Sequence, residues 1–234
     1  MDSEVFSSPE GPYLNLTGRF PEGIYAYFLL KGHAGVSPEE IARFLAGRGH
    51  EVSAVHRVDQ VHSARVVESE ETPCEADAIL CRRPGEAVRV VVADCVPLLL
   101  ASGDGTAVAA VHAGWRGTLG RIAEAALSAL GSDPEKVVAF LGPSVGPCCY
   151  RVDASRHARF REAFGGVTGP SGADGADRLD LAAINAARLA ARGVRPERLH
   201  RETRCTSCDV ALCCSYRRDG ERAGRMAAVI GREA

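Results

Sequence analysis

A chain of 234 residues with 46% hydrophobic content carries enough apolar material for one globular core, and no apolar run approaches the roughly 20 residues a membrane helix needs. A formal net charge of -2 removes the electrostatic case for a nucleic-acid partner. Nine cysteines follow an acidic start, Met1-Asp2-Ser3-Glu4, that lacks a signal-peptide layout; they read as reduced thiols or ligands in the cytoplasm, not as a disulfide framework.

Residues 1–20 hold Pro, Gly and Ser and read as an N-terminal arm or an edge element. Ile24 to Leu30 is a strand. Ser37-Pro38-Glu39-Glu40 has the form of a capping box with proline at the first helical position. The helix it opens turns Ile41, Phe44 and Leu45 inward and closes at Gly47 or Gly49. Val55 to Val67 alternates and reads as a strand, with Asp59-Gln60-Val61-His62 inside it. Val88 to Ala93 is a β-branched run, hence a buried strand, that stops at Asp94-Cys95. Pro97 then bars a regular central ladder. Thr106 to Val111 is a second buried strand ending on His112-Ala113-Gly114-Trp115-Arg116-Gly117. Leu119, Ile122, Ala123, Ala126, Leu127 and Leu130 recur at helical spacing as far as Gly131. Val137 to Leu141 is a further strand and Asp153 to Phe164 a helix. Gly165 to Gly175 reads as a loop, Asp180 caps a helix running to Arg192, and Met226 to Ile230 is the closing strand. Neither an internal repeat nor a linker interrupts the chain, so residues 1–234 read as a single domain.

The chemistry gathers at strand ends. One strand end carries Cys95, the next carries His112, and His62 comes within reach of both if the three strands share a sheet. Two imidazoles and a thiolate suit zinc or copper, and three protein ligands leave a fourth position open, as catalytic sites do. Arg116 stands where a helix begins; free N–H groups and the helix dipole favour an anion there. Asp94 reads as an orienter of a ligand histidine, a proton-transfer group or a turn cap. Arg217, Arg218 and Asp219 form a charged turn.

Gln60-Val61-His62, Ala93-Asp94-Cys95-Val96-Pro97 and His112-Ala113-Gly114-Trp115-Arg116-Gly117 resemble the signature of the laccase-domain family, also called multicopper polyphenol oxidase or purine nucleoside phosphorylase-like. The loop from Leu141 to Tyr150 is similar to that family's glycine-proline loop. Ser215 to Gly220, then Gly224-Arg225, is similar to its C-terminal signature. The match runs in the family's order from about His56 to the C-terminus, and Glu75 to Leu80 resembles the strand before the metal cysteine. It is poorest at Ala34-Gly35-Val36-Ser37, where relatives carry Gly-Gly-Val-Ser and then an Asn-Leu element.

The resemblance implies an α+β fold of mixed β-sheets packed with flanking helices. It implies a zinc-dependent enzyme that takes a purine nucleoside and phosphate. The activities are phosphorolysis of adenosine, inosine and methylthioadenosine, and deamination of adenosine. Zinc would sit on His62, Cys95 and His112. Asp94 and Arg116 would be catalytic, and Gln60, Trp115, Arg217, Arg218 and Asp219 would contact substrate. Trp115 reads equally as core or as a wall for a base ring. The rivals are a copper-dependent phenol oxidase, a hydrolase with Cys95 as nucleophile and His112 as base, and a non-catalytic metal-binding module. Seven histidines, none in a His-x-His pair, are few for an oxygen-reducing copper cluster. Cys205-Thr206-Ser207-Cys208 with Cys213-Cys214 superficially resembles a zinc knuckle; packed thiols are expected there, without a second metal. Cys148 and Cys149 read as loop packing.

Overall fold

The computed structural model describes residues 3–166 and 175–234; most of the expected Gly165–Gly175 loop lies outside them. Two six-stranded sheets face each other. The first runs in the order β1 (Val5–Ser8), β2 (Gly11–Asn15), β3 (Ile24–Leu29), β12 (Met226–Arg232), β7 (Glu86–Val92) and β4 (Ala54–His56). The second runs β11 (Leu199–Arg201), β10 (Val138–Leu141), β8 (Val96–Ala101), β9 (Val108–Ala113), β6 (Ala78–Cys81) and β5 (Val66–Glu68). Most neighbours are antiparallel; β4 with β7, β5 with β6 and β10 with β11 are parallel. The stretch read as an arm or edge supplies the β1–β2 hairpin, with β1 on the edge.

Side chains alternate across each strand, so each sheet must bury two faces. Val88, Val90 and Val92 of β7 meet Leu99, Val108, Ala110 and Phe140 between the sheets. The outer face of the first sheet lies under α1 (Pro38–Ala46), whose Ile41, Phe44 and Leu45 pack on Tyr25, Tyr27 and Val229. The outer face of the second is covered by α3 (Ile122–Leu130), α4 (Ala154–Phe164) and α5 (Leu181–Ala191). The result is a helix–sheet–sheet–helix stack. Strands covered on both sides read as continuous apolar runs. Ser37 accepts the Glu40 N–H while Glu40 accepts the Ser37 N–H, so the capping box forms as expected.

Three expectations need correction. Pro97 does not exclude a central strand, because it is the second residue of β8, in the middle of the second sheet. Its carbonyl accepts from Gly142 N, just past the last β10 residue, Leu141, which pairs with Leu98. The missing N–H therefore falls where the ladder has ended. Val55 to Val67 is not one strand. Only β4 and β5 are extended, and residues 57–65 carry the chain from the first sheet to the second, with His62 at φ 61°. The helix after Gly117 is also broken. α2 (Trp115–Leu119) ends at Gly120, Arg121 takes φ 62°, and α3 begins at Ile122. A left-handed residue cannot continue a right-handed helix. α2 packs so closely on the 57–65 crossing that Cβ atoms on Gly117 and Gly120 would meet Ser63 O and Ala64 Cβ at 2.8 Å each.

Candidate functional site

The chain passes from the first sheet to the second at residues 57–65 and again at 93–95. Both crossings lie at one end of the stack and each delivers a ligand. Cys95 follows Asp94, whose φ of 93° makes the turn from β7 into β8. The three strands do not share a sheet, as the sequence reading required; β4 and β7 belong to the first and β9 to the second. The ligands still converge. His62, Cys95 and His112 present ligand atoms within 4.8 Å of one another. The two imidazoles stand edge to face with centroids 4.8 Å apart. Gly114 closes the cradle: a Cβ there would meet His62 Cδ2 at 2.9 Å and Cys95 Sγ at 3.1 Å.

Asp77 assembles this triad, and the sequence reading passed over it. It is fully buried at the start of β6. His112 donates Nδ1–H to its Oδ1 at 2.8 Å, which turns Nε2 toward Cys95. The same carboxylate accepts the backbone N–H groups of Val61, His62 and Ser63 and the Ser63 hydroxyl. Burial pushes the carboxyl up, but the bonds from His112 and Ser63 outweigh it and hold it below its ordinary value. Burial also opposes ionisation of Cys95, yet hydrogen bonds from His112 and His62 bring it down to about 7. Burial would lower His112; its bonds to Asp77 and Cys95 raise it to about 9. Two nitrogens and a sulfur already disposed to ionise fit a borderline-soft divalent cation. Replacing Asp77 with Asn leaves loop N–H groups and His112 without a full set of acceptors. Asp77→Asn is expected to weaken metal binding about 10- to 100-fold, as read by competition with a chelating dye; unchanged affinity would reduce Asp77 to a folding role.

The triad floors a cleft of about 870 Å³. Trp115 lines it, and the indole is not a bare wall. Arg156, Arg116 and Arg159 lie with Cζ 4.4, 5.1 and 5.9 Å from its ring. Arg116 is exposed at the cleft and has no ion pair among the described residues. Asp94 lines the cleft with both oxygens engaged, accepting Thr206 Oγ1 at 2.6 Å and Arg217 N at 2.5 Å. Gln60 spends its amide on β7, donating to Val91 O and accepting from Val91 N at 2.8 Å each.

The expected charged turn is a short helix, α6 (Tyr216–Asp219), capped by Ser215. Of its charges only Arg217 lines the cleft. Arg218 donates to the Thr206 and Cys213 carbonyls and pairs with Asp219, so the structure does not bring Arg218 or Asp219 to the cleft. Arg156, Tyr216 and Arg89 line the cleft and carried no mark in the sequence as site residues. Tyr216 is exposed within it. Arg89, though only 8% exposed, lines it and leaves Nε without a partner. A β-branched strand hides such an arginine, because its neighbours set the pattern.

Residues 18–233 match the model of a family described as multi-copper polyphenol oxidoreductase laccase. A purine nucleoside phosphorylase of Deinococcus radiodurans is 38% identical over 198 residues, which is 82% of this chain and 76% of that protein. One of Pseudomonas aeruginosa is 38% identical over 181 residues, 74% of this chain and 72% of its own. The alignment to a Shigella flexneri purine nucleoside phosphorylase spans 56% of that protein's length. Among solved structures, a Geobacillus stearothermophilus protein superposes with a TM-score of 0.81 at 26% identity, covering 98% of this chain and 99% of its own. A Neisseria meningitidis protein gives 0.79 at 28%, covering 95% and 99%.

Proposed function

The chain belongs to the multi-copper polyphenol oxidoreductase laccase family, and from that premise we propose that it is a zinc-dependent purine nucleoside phosphorylase acting on adenosine, inosine and methylthioadenosine, with adenosine deamination as a second activity at the same site. The observation that carries this reading is the His62–Cys95–His112 cluster on the floor of a cleft whose indole is sheathed in arginines. Relatives that bear the name purine nucleoside phosphorylase support it.

Zinc held by His62, Cys95 and His112 would supply a Lewis acid at the cleft floor. The rest is work for the chain's own side chains. Arg116 and Arg156, oriented by Trp115, hold the phosphate; two guanidiniums offer charge-assisted, fork-shaped contacts. Holding that anion beneath C1′ stabilises the positive charge that develops on the sugar as the glycosidic bond breaks. Tyr216 offers a free aromatic face for the purine. Asp94 positions rather than reacts, pinning Thr206 and the start of α6 so that Arg217 reaches the cleft. Copper oxidase chemistry is the weaker reading. Apart from His62 and His112, the histidines His33, His50, His56, His157 and His200 join no ligand cluster among the described residues. The test is incubation with a nucleoside panel, with and without phosphate, and identification of products by mass. Free base and sugar 1-phosphate formed only with phosphate are the expected outcome; phenol oxidation without nucleoside turnover would sink the proposal.

A further inference from the structure

Four cysteines outside the cleft lie together. Cys148 and Cys149 sit on the loop after β10, and Cys205 and Cys208 on the segment after β11. Their sulfurs all lie within 4.8 Å of one another. Cys208 Sγ is 3.6 Å from Cys148 Sγ and 3.4 Å from Cys149 Sγ. The expectation of packed thiols holds for Cys213 and Cys214, which are buried between the sheets. Cys205 and Cys208 instead meet thiols about 60 residues earlier in the chain.

We propose that Cys148, Cys149, Cys205 and Cys208 form a second metal site, a closed tetrathiolate that holds a structural zinc. Four sulfurs at the corners of a tetrahedron with Zn–S of about 2.3 Å stand roughly 3.8 Å apart, close to the spacings present. Cys205 and Cys208 have the two-residue spacing usual for a thiolate zinc pair, and the adjacent Cys148 and Cys149 bring two more sulfurs from a separate segment. A turn fixes the second pair, since Cys208 N and Asp209 N both donate to Cys205 O. Gly146 N donates to Cys205 Sγ at 3.2 Å, the kind of bond that stabilises a thiolate. A Cβ on Gly146 would stand 3.3 Å from Cys148 Sγ and from Cys205 Cβ, so the backbone here lies tight against the sulfurs. Arg218, donating to the Thr206 and Ser207 carbonyls, sets a positive charge beside a cluster that would carry net negative charge.

Four protein sulfurs leave no open position, so this zinc holds structure and does no chemistry. The two segments it would tie also build the cleft. Val145 and Tyr150 flank Cys148 and Cys149 and line the cleft wall. Thr206, between Cys205 and Cys208, holds Asp94. The second metal would thus fix the wall against which the first works.

Protein prepared under reducing conditions and reconstituted with zinc should contain two equivalents by elemental analysis. Cys95→Ser should retain one, Cys149→Ser and Cys208→Ser should each retain one, and Cys95→Ser combined with Cys208→Ser should retain none. Cobalt-loaded Cys95→Ser, with all four thiols intact, should show the intense visible bands of a tetrahedral cobalt thiolate and lose them when Cys208→Ser is added. A single zinc equivalent in the wild type, abolished by Cys95→Ser, would overturn the proposal even if the serine variants at 149 and 208 failed to fold. So would a Cys149–Cys208 disulfide in the reduced, zinc-supplied protein, or iron in place of zinc. None of these readings depends on nucleoside turnover, so failure here and failure of the phosphorylase proposal are told apart.

Discussion

Cys95→Ser is expected to abolish phosphorolysis, by about a thousandfold or more, while the fold survives. A serine hydroxyl is a poor substitute for a thiolate toward zinc. Losing the Lewis acid at a reaction centre forfeits several kcal/mol, and about 4 kcal/mol is a thousandfold. The remaining His62–His112 pair would hold a metal only weakly. Cys95 sits at a turn, only partly buried against the margin of the inter-sheet core, and serine nearly matches it in size, so melting of the metal-free variant should track that of the metal-free wild type. The measurements are steady-state phosphorolysis and zinc content on one preparation. Unchanged zinc would refute Cys95 as a ligand. Chelation of the wild type separates this reading from a hydrolase in which Cys95 attacks and His112 is the base. The thiol is intact there, so activity that survives full removal of metal would favour the nucleophile.

Arg116→Ala should damage phosphorolysis far more than deamination. Phosphorolysis consumes the anion that Arg116 is proposed to grip, whereas deamination consumes water. Loss of a charge-assisted contact to a reacting anion costs on the order of 2–4 kcal/mol, roughly thirty- to a thousand-fold in rate. Arg156 stacks closer to the same indole than Arg116 does, so partial rescue places the single variant toward the lower bound and the Arg116→Ala/Arg156→Ala pair beyond it. Both activities must be measured on protein of intact zinc content. Equal loss of both would make Arg116 a general support of the site, and no loss would return it to the solvent.

What the sequence disclosed followed from how local each signal was. Cys95 and His112 were legible because each ends or nearly ends a continuous apolar run, and such runs mark strands buried on both faces. α1 was legible because its capping box, proline and inward face all lie within ten residues. His62 does come beside the other two, but its strand was an illusion: alternation across residues 55–67 arises from a crossing loop pinned by Asp77. Asp77 itself carried no local mark, since its role depends on three loop N–H groups and a histidine 35 residues away. β8 was missed because proline statistics describe residues bonded on both sides, and Pro97, still paired with His112 of β9, sits where the β10 ladder has run out. The four-cysteine cluster was invisible for the same reason of distance. Cys205 and Cys208 were grouped with their sequence neighbours Cys213 and Cys214, while the chain folds them onto Cys148 and Cys149.

The placement of the triad has a thermodynamic corollary. Each passage from the first sheet to the second contributes a ligand, and the third stands on the second sheet. A cation bound there closes a clasp across the seam between the two sheets. Its binding energy is then inseparable from the work of opening the stack. A site filled at a hundred times its dissociation constant adds about 2.7 kcal/mol to resistance against unfolding. Metal supply would thereby set how long the protein lasts as well as how fast it turns over.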